Sequence, residues 1–463
     1  MPANQILTAA QMRAGEAALI AGGTPVDELM QRAGRGAAEW VWRVAAGRSV
    51  TVLCGPGNNG GDGYVIAEVL RGRGVPVAVV ACGEPQTHPA HAARTLFQGE
   101  ILGPAASPVG DLFVDCLFGT GLTRPLSAGD AALLKRLAAS HPQAIAVDLP
   151  SGVDADRGLA LNHDLPINHL TLALGAWKFA HFLMPAAANM GALRLVEIGV
   201  GAIAGAAEMI ARPRLAPPAA DAHKYTRGLL GVISGAMPGA AVLAALAAQG
   251  AGAGYVKLLG EGGTLPADLV QDSGPLVTAL ADQRFNALLL GPGLGRGDAA
   301  RAMLEHVLAR QAPAVLDADA LMLLTPALLV SRAAPLIVTP HGGELAVLEQ
   351  AFQLSGEGSK ADRALNLAKA GAMVVVAKGA DTVIAAPDGR MALSGRASSW
   401  LSVAGTGDVL AGTIASRLAS GADAFAAACE GVWLHGEAAR LSAPPFSASQ
   451  LAAQVRSAYA ACL

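Results

Sequence analysis

The sequence predicts two α/β domains in tandem, and three observations carry that prediction. Its 463 residues are too many for one ordinary domain and suit two large ones. Short apolar runs alternate with segments of helical spacing through the first half and again through the second. This is the pattern of parallel strands covered by helices on both faces. Between the two series, residues 201–222 show no strand pattern and carry Pro213, Pro217 and Pro218, which marks a linker.

The elements follow in order. Residues 1–30 read as a helical lead-in. VTVLCG at 50–55 is a buried strand, and Val65, Ile66, Val69 and Leu70 give residues 62–72 helical spacing. Further strands are expected in VPVAVVAC (75–82), DLFVDCLFG (111–119), AIAVDLP (144–150), LTLALGA (170–176) and LRLVEIG (193–199). Together they predict a doubly wound, Rossmann-like sheet. The series restarts with LLGVIS (229–234), a helix over 239–250, YVKLL and NALLLGPG (286–293). A helix over 298–310 follows, with Met303, Leu304, Val307 and Leu308 on one face. PAVLDA, PLIVTP and MVVVAKG complete the strands, a hairpin is expected over 381–394, and helices dominate after Gly405. The halves share an architecture but no period, so they are not an internal repeat.

Composition narrows the function. Hydrophobic residues at 52% against 15% charged provide sizeable cores and exclude general disorder. A formal charge of −3 offers no basic field for nucleic acid or an anionic membrane. The cysteines at 54, 82, 116, 429 and 462 form no CxxC pair, which argues against a zinc site or disulfide framework and suits a reducing compartment. The N-terminus lacks a basic segment followed by an apolar core, and the most apolar window, 239–259, is broken by Gln249, Lys257 and glycines. The expectation is a soluble cytoplasmic protein acting on small molecules, with homo-oligomerisation left open.

Three groups in the first half could carry chemistry. Gly55-Pro-Gly-Asn58-Asn59-Gly60-Gly61-Asp62-Gly63 lies between a strand and a helix, where backbone N–H groups and the helix start attract anions. It contains a formal GxGxxG, and Glu84 would be the ribose acid of a dehydrogenase. The Asn-Asn-Gly-Gly-Asp core, however, adds polar side chains that such a turn does not need, and no GK[ST] follows. Asp115 lies within an apolar strand, where a carboxylate needs a partner or a cation. The loop Gly119-Thr120-Gly121-Leu122-Thr123-Arg124-Pro125 comes next, and Asp148-Leu-Pro-Ser151-Gly-Val-Asp154 ends another strand. Asn59, Asp115 and Ser151 offer the oxygen donors that a hard cation prefers.

GPGNNGGDG, VDCLFGTGLTRP and AVDLPSGVDAD, with the lead-in LTAAQMRAGE, resemble the YjeF N-terminal family of NAD(P)H-hydrate epimerases over residues 1–205. The resemblance implies interconversion of the R and S epimers at C6 of hydrated NADH or NADPH. It implies potassium held by Asn59, Asp115 and Ser151, and nucleotide contacts from Asn58–Asp62, Gly119–Pro125 and Asp148. Epimerisation needs an acid/base group near the ring. Asp148 is the candidate, with Lys178, at the end of an apolar strand in LGAWKFAH, as its cationic partner. Trp177 before that lysine departs from the family pattern, as does the missing proline after it.

In the second half, Gly405-Thr-Gly407-Asp408 opens a small-residue helix able to hold phosphoryl oxygens, and Asp408 is placed to accept a hydroxyl proton. Lys378-Gly379-Ala380-Asp381-Thr382, Gly291-Pro-Gly-Leu-Gly295, Thr339-Pro-His341-Gly-Gly-Glu344, and Asp317 with Asp319 in VLDADAL all end strands. These motifs resemble the YjeF C-terminal or CARKD family of NAD(P)H-hydrate dehydratases, within the ribokinase-like superfamily, over residues 220–463. The implied fold is an α/β/α domain. The implied substrate site is Ala240, Gly293, His341 and Asp408, and the implied ADP site is Lys378–Thr382 with Gly407. ADP, carried with Mg2+, would give AMP and phosphate. TPHGGE replaces the family's TPHPGE, and GAMPGAA is less polar than its counterpart. Both halves then serve one repair route: epimerisation supplies the S epimer, which is phosphorylated at its C6 hydroxyl and eliminated to NAD(P)H. Two other readings fit the residues: a ribokinase-like small-molecule kinase with an accessory N-terminal domain, and an N-terminal interaction scaffold.

Overall fold

In the computed structural model, which describes residues 4–463, the chain divides into two units after Glu208. The first unit contains β1 (Gln5–Leu7), α1 (Ala9–Ala21), α2 (Val26–Ala45), β2 (Val50–Cys54), α3 (Asn58–Gly72), β3 (Val77–Ala81), α4 (His88–Leu96), β4 (Ile101–Leu102) and β5 (Leu112–Cys116). It continues with α5 (Ala128–Ala139), β6 (Gln143–Val147), β7 (Leu170–Leu174), β8 (Trp177–Lys178), β9 (Ala192–Val196) and β10 (Ala207–Met209). Seven strands form a parallel sheet in the order β4-β3-β2-β5-β6-β7-β9. Chain order reverses between β2 and β5, so the crevice at their carboxyl ends is the switch point where such sheets take ligands.

The strands are apolar on both faces, as burial between two helical layers requires. Val50, Val52 and Cys54 pack under α2 and α3 with Ala37, Val41, Tyr64 and Ile66. Leu53, Val80 and Phe113 point the other way, onto Leu133, Leu134 and Leu137 of α5.

Three expectations change. The lead-in is not purely helical, because β1 precedes α1 and pairs parallel with β8, Leu7 opposite Lys178. Lys178 therefore does not end the apolar strand; it stands on a separate short strand beyond β7. The linker is shorter than 201–222, because β10 lies within it and pairs antiparallel with β1, Ile6 opposite Ala207. Each of these pairings joins strands some 170–200 residues apart, a separation that local periodicity does not reveal.

The second unit contains β11 (Leu229–Ile233), α6 (Pro238–Gly250), β12 (Tyr255–Leu259), β13 (Val270–Asp272), α7 (Leu276–Leu280), β14 (Phe285–Leu290), α8 (Asp298–Ala309), β15 (Ala314–Leu316), α9 (Asp319–Leu323) and β16 (Leu336–Val338). After these come α10 (Gly342–Ala351), α11 (Lys360–Gly371), β17 (Val374–Ala377), the hairpin β18 (Val383–Ala385) and β19 (Met391–Leu393), and the helices α12 (Thr406–Ala419), α13 (Ala424–Leu441) and α14 (Ala448–Ala460). Strands β13-β12-β11-β14-β15-β16-β17 lie parallel in that order, and the antiparallel hairpin extends the sheet beyond β17. The order reverses between β11 and β14, a second switch point. Alanines of α6 and α12 pack against Leu230, Val232, Leu258 and Leu289. Leu304, Val307 and Leu308 of α8 are buried. Among the described residues no helix is long and apolar enough to cross a membrane, and all five cysteines are free thiols.

Candidate functional sites

The first site grows from the carboxyl ends of β2, β5 and β6. The chain leaves β2 at Gly55, where a Cβ would collide with the carbonyl of Leu117, so the two strand-end loops touch backbone to backbone. Residues 117–120 then link three acceptors. Leu117 N–H donates to Asp115 Oδ1 at 3.1 Å, and Phe118 N–H donates to Ser151 Oγ at 2.8 Å. Thr120 donates to Asp148 Oδ2 from its N–H at 2.8 Å and its hydroxyl at 2.5 Å. Gly119 is wedged between Asp148 and Asn59: a Cβ there would lie 2.7 Å from Asp148 Oδ2 and 3.4 Å from Asn59 Cγ.

Asp148 adopts φ 65°, the left-handed region, which turns its carboxylate back over the strand end. Lys178, 1% exposed, donates to Asp148 Oδ1 at 2.5 Å and to the Leu174 carbonyl at 2.7 Å. Burial alone would raise the Asp148 carboxyl, but the Lys178 charge and the hydrogen bonds from Lys178 and Thr120 outweigh it and hold the group below its usual value. Removing either partner would strand a buried charge at a cost of about 3–5 kcal/mol. His181 donates from Nε2 to the Asp148 carbonyl at 2.8 Å, and its Nδ1 accepts the Lys178 N–H at 2.9 Å. Burial depresses this imidazole to about 4, so it is neutral and locks the pair's backbone.

Of the residues expected here, Asp115 lies in β5, Gly119 and Thr120 in the loop after it, Asp148 and Ser151 just beyond β6, Asn59 and Asp62 in the first turns of α3, and Lys178 on β8. Asn58 turns away to accept from the Thr87 hydroxyl at 2.6 Å, and Gly121, Thr123, Arg124 and Pro125 lie on an exposed stretch of loop. Glu84 pairs with Arg94.

The donor set is of the kind a hard cation takes. Both side-chain polar atoms of Asn59 are buried without a hydrogen-bond partner. Asp115, 2% exposed, receives only neutral donors: the Leu117 N–H, the Ser151 hydroxyl at 2.7 Å and the Ser151 N–H at 2.9 Å. Its carboxyl is raised by burial against those bonds. An orphaned amide oxygen and a buried carboxylate met only by neutral donors are groups that a hard cation would satisfy.

The second site lies at the carboxyl ends of β11, β14, β15, β16 and β17. Met237 N–H donates to the Gly293 carbonyl at 2.8 Å, and a Cβ on Gly293 would lie 3.1 Å from that of Ala240. Ala240 and Gly293 are thus neighbours, as expected. Lys378 donates to Asp317 Oδ1 at 2.6 Å, and the Thr339 hydroxyl donates to the same oxygen at 2.6 Å. Lys378 Nζ also lies 3.8 Å from Glu344, and a Cβ on Gly407 would sit 3.6 Å from it. The ammonium therefore stands at the start of α12 beside Asp408. Burial would lower Lys378, but Asp317 and Glu344 reverse that and raise it. Asp408 is pushed up to about 6, chiefly by burial, with Asp317 adding to the effect and Lys378 opposing it.

His341 caps α10: its Nδ1 accepts the N–H groups of Gly343 at 2.9 Å and Glu344 at 3.2 Å, and its Nε2 lies 3.6 Å from Glu344 Oε1. Gly379 and Thr382 close their loop on each other, the Thr382 hydroxyl donating to the Gly379 carbonyl at 3.0 Å; Ala380 is exposed.

Sequence reasoning missed three supports. Lys360 reaches Asp381 at 2.6 Å and the Lys378 carbonyl at 3.0 Å, tying down the loop Lys378–Thr382 from the start of α11. His435, neutral with its imidazole depressed to about 4 by burial, donates to the Thr406 carbonyl at 3.0 Å and fixes the start of α12. Glu16 of α1 has its carboxyl raised by burial, and among the charges acting on it are Lys178 and Asp148. No local motif distinguishes any of these from a solvated side chain or a core histidine. Among the described residues no three His, Cys, Asp or Glu side chains are grouped to hold a metal.

Two family models match the chain: one described as the YjeF-related protein N-terminus over residues 26–180, and one described as NAD(P)H-hydrate dehydratase over residues 230–459. A bifunctional NAD(P)H-hydrate repair enzyme from Mycobacterium leprae is 34% identical, covering 98% of each chain. One from Gloeobacter violaceus is 37% identical over 94% of this chain and 92% of its own. A solved Bacillus subtilis ADP/ATP-dependent NAD(P)H-hydrate dehydratase, co-crystallised with ATP and Mg2+, is 30% identical with a TM-score of 0.46, covering 54% of this chain and 95% of that one.

Proposed function

We propose, for a chain that belongs to the bifunctional NAD(P)H-hydrate repair enzymes, that the first unit epimerises hydrated NADH and NADPH and the second dehydrates the S epimer. We assign epimerisation to the unit that ends at Glu208, where the sequence leads one to expect that domain over 1–205, and dehydration to the unit that begins at Met209, where it is expected over 220–463. The setting is the cytoplasm, with small molecules as the only partners the chemistry requires.

In the first unit, Asp148, whose carboxyl Lys178 and Thr120 hold below its usual value, accepts the proton of the C6 hydroxyl, while Lys178 fixes its position. The loop Asn58–Asp62 and residues Gly119–Pro125 hold the nucleotide. Asn59, Asp115 and Ser151 would hold potassium, which supplies charge compensation at the loop junction.

In the second unit, Lys378, the loop Gly379–Thr382 and the N–H groups at Gly407 hold the phosphates of ADP. Ala240, Gly293 and His341 line the hydrated ring. Asp408 takes the C6 hydroxyl proton as that oxygen bonds to the terminal phosphorus and AMP leaves. The phosphate ester then departs with its electron pair, and loss of a C5 proton restores NAD(P)H. Phosphorylation turns a poor leaving group into a good one, which is why the reaction consumes a nucleotide.

The observation that carries this reading is the meeting of Asp408, Lys378, Asp317 and Gly407 at the start of α12. Asp408→Asn tests it. Dehydration of the S epimer should fall roughly 10²–10⁴-fold, the usual worth of a general base, while epimerisation continues. Near-normal ADP-dependent dehydration would remove Asp408 from the mechanism.

A further inference from the structure

We propose that Asp62 is the acid of the epimerisation, the partner that Asp148 needs. The inference rests on the epimerase reading above and adds to it a residue and a step.

Inverting C6 requires breaking one of its bonds, and opening the ring at C6–N1 needs a base at the hydroxyl and an acid at N1 together. Asp148 cannot be that acid. Lys178 occupies one of its oxygens, two donors from Thr120 occupy the other, and the carboxyl is held ionised. Asp62 is buried like Asp148 but differs in its hydrogen bonds and in the direction of its shift. It is 6% exposed, stands in the first turns of α3 within the glycine-rich loop, and has no hydrogen-bond partner for its carboxyl among the described residues. Burial lifts it well above the usual carboxylate range, the charges of Asp148 and Glu16 push the same way, and Lys178 opposes them.

The groups that face it are few. Glu16 comes from α1, Lys178 from β8, and the thiols of Cys54 and Cys116 from β2 and β5. From α2 and α4, the residues against Gly61 at that turn are Met30 and Ala90, which carry no charge. Two carboxyls that act on one another are therefore driven apart, Asp148 downward and Asp62 upward, which is the arrangement that assigns base and acid.

The step balances without a co-reactant. The hydroxyl proton passes to Asp148 as C6–O becomes a carbonyl, the C6–N1 electron pair moves to N1, and Asp62 protonates N1. Rotation about C5–C6 presents the other face. N1 then re-forms its bond to C6, returning its proton to Asp62, and the oxygen recovers a proton from Asp148.

The test uses the full chain, pure S-epimer NADH hydrate and no nucleotide, with appearance of the R epimer as the readout. Wild-type interconversion checks the epimerase reading itself, so the two failures are distinct. Asp62→Asn keeps the volume and adds hydrogen-bonding capacity. Its kcat should fall roughly 10²–10⁴-fold with KM within a few-fold, and Asp62→Glu should recover part of the rate. An unchanged melting temperature and unchanged ADP-dependent dehydration show that the variant is folded. A kcat within a few-fold of wild type would overturn the proposal. So would a loss confined to KM, which would make Asp62 a binding residue only.

Discussion

At Asp408 a single residue sets the working range of the second reaction. Its carboxyl is lifted to about 6 by burial and by Asp317. Only the ionised form accepts a proton, so kcat/KM for dehydration should climb as pH rises through about 6 and level off above it. A profile already flat from pH 5 upward would show that a different group carries the proton. Asp115 makes the matching statement about the first reaction. Asp115→Ala should impair epimerisation and leave the residual rate insensitive to potassium, because the only charged donor of the set is gone. A potassium titration that matches wild type would exclude it as a ligand. A glycine-rich helix start made Asp408 visible in the sequence, a carboxylate within an apolar strand made Asp115 visible, and strand ends did the same for Asp148 and Lys178. The sequence offered Asp148 as the acid/base group and Asp62 only as a nucleotide contact. Which carboxyl is saturated by Thr120 and Lys178, and which is left without a donor, depends on loops brought together from far along the chain.

Among the elements, the turn between β15 and α9 shows how the fold aims two carboxylates in different directions. Ala318 sits at φ 48°, ψ −120°, a conformation that side-chain-bearing residues avoid. On one side Asp317 meets Lys378; on the other Asp319 accepts from the Gly295 N–H at 2.9 Å and from Arg296 Nε at 2.7 Å. Strain of this kind costs about 1–3 kcal/mol and persists where the surroundings over-determine it. Ala318→Gly should therefore raise the stability of the second unit by roughly 1 kcal/mol in denaturant unfolding, against the usual loss on placing glycine in a chain. A loss of about that size would show that the backbone there is relaxed. The strand–helix alternation was legible because each buried strand is a continuous apolar run. The short strands β1, β8 and β10 were not, since two or three residues carry no periodicity and their pairing is set by partners far along the chain.

For the whole molecule, the two halves were legible from their separate strand series, and the resemblances pointed to one repair route. The boundary was not: Ala207 and Glu208 belong to a strand with Ile6 and Gln5, whereas Ile210 and Leu215 bond to Leu393 and Cys462 of the second unit. A proline-rich stretch reads as a linker from composition even where its ends are hydrogen-bonded into domains. The central claim is that one chain performs both steps in sequence. The most direct measurement follows the near-ultraviolet absorbance of NADH as the wild-type chain acts on a mixture of R and S NADH hydrate. With ADP the absorbance should recover completely, because epimerisation drains the R form into the S form that the second unit consumes. Without nucleotide none should recover. Recovery that stops when the S epimer is exhausted, or that proceeds with no nucleotide present, would contradict the account.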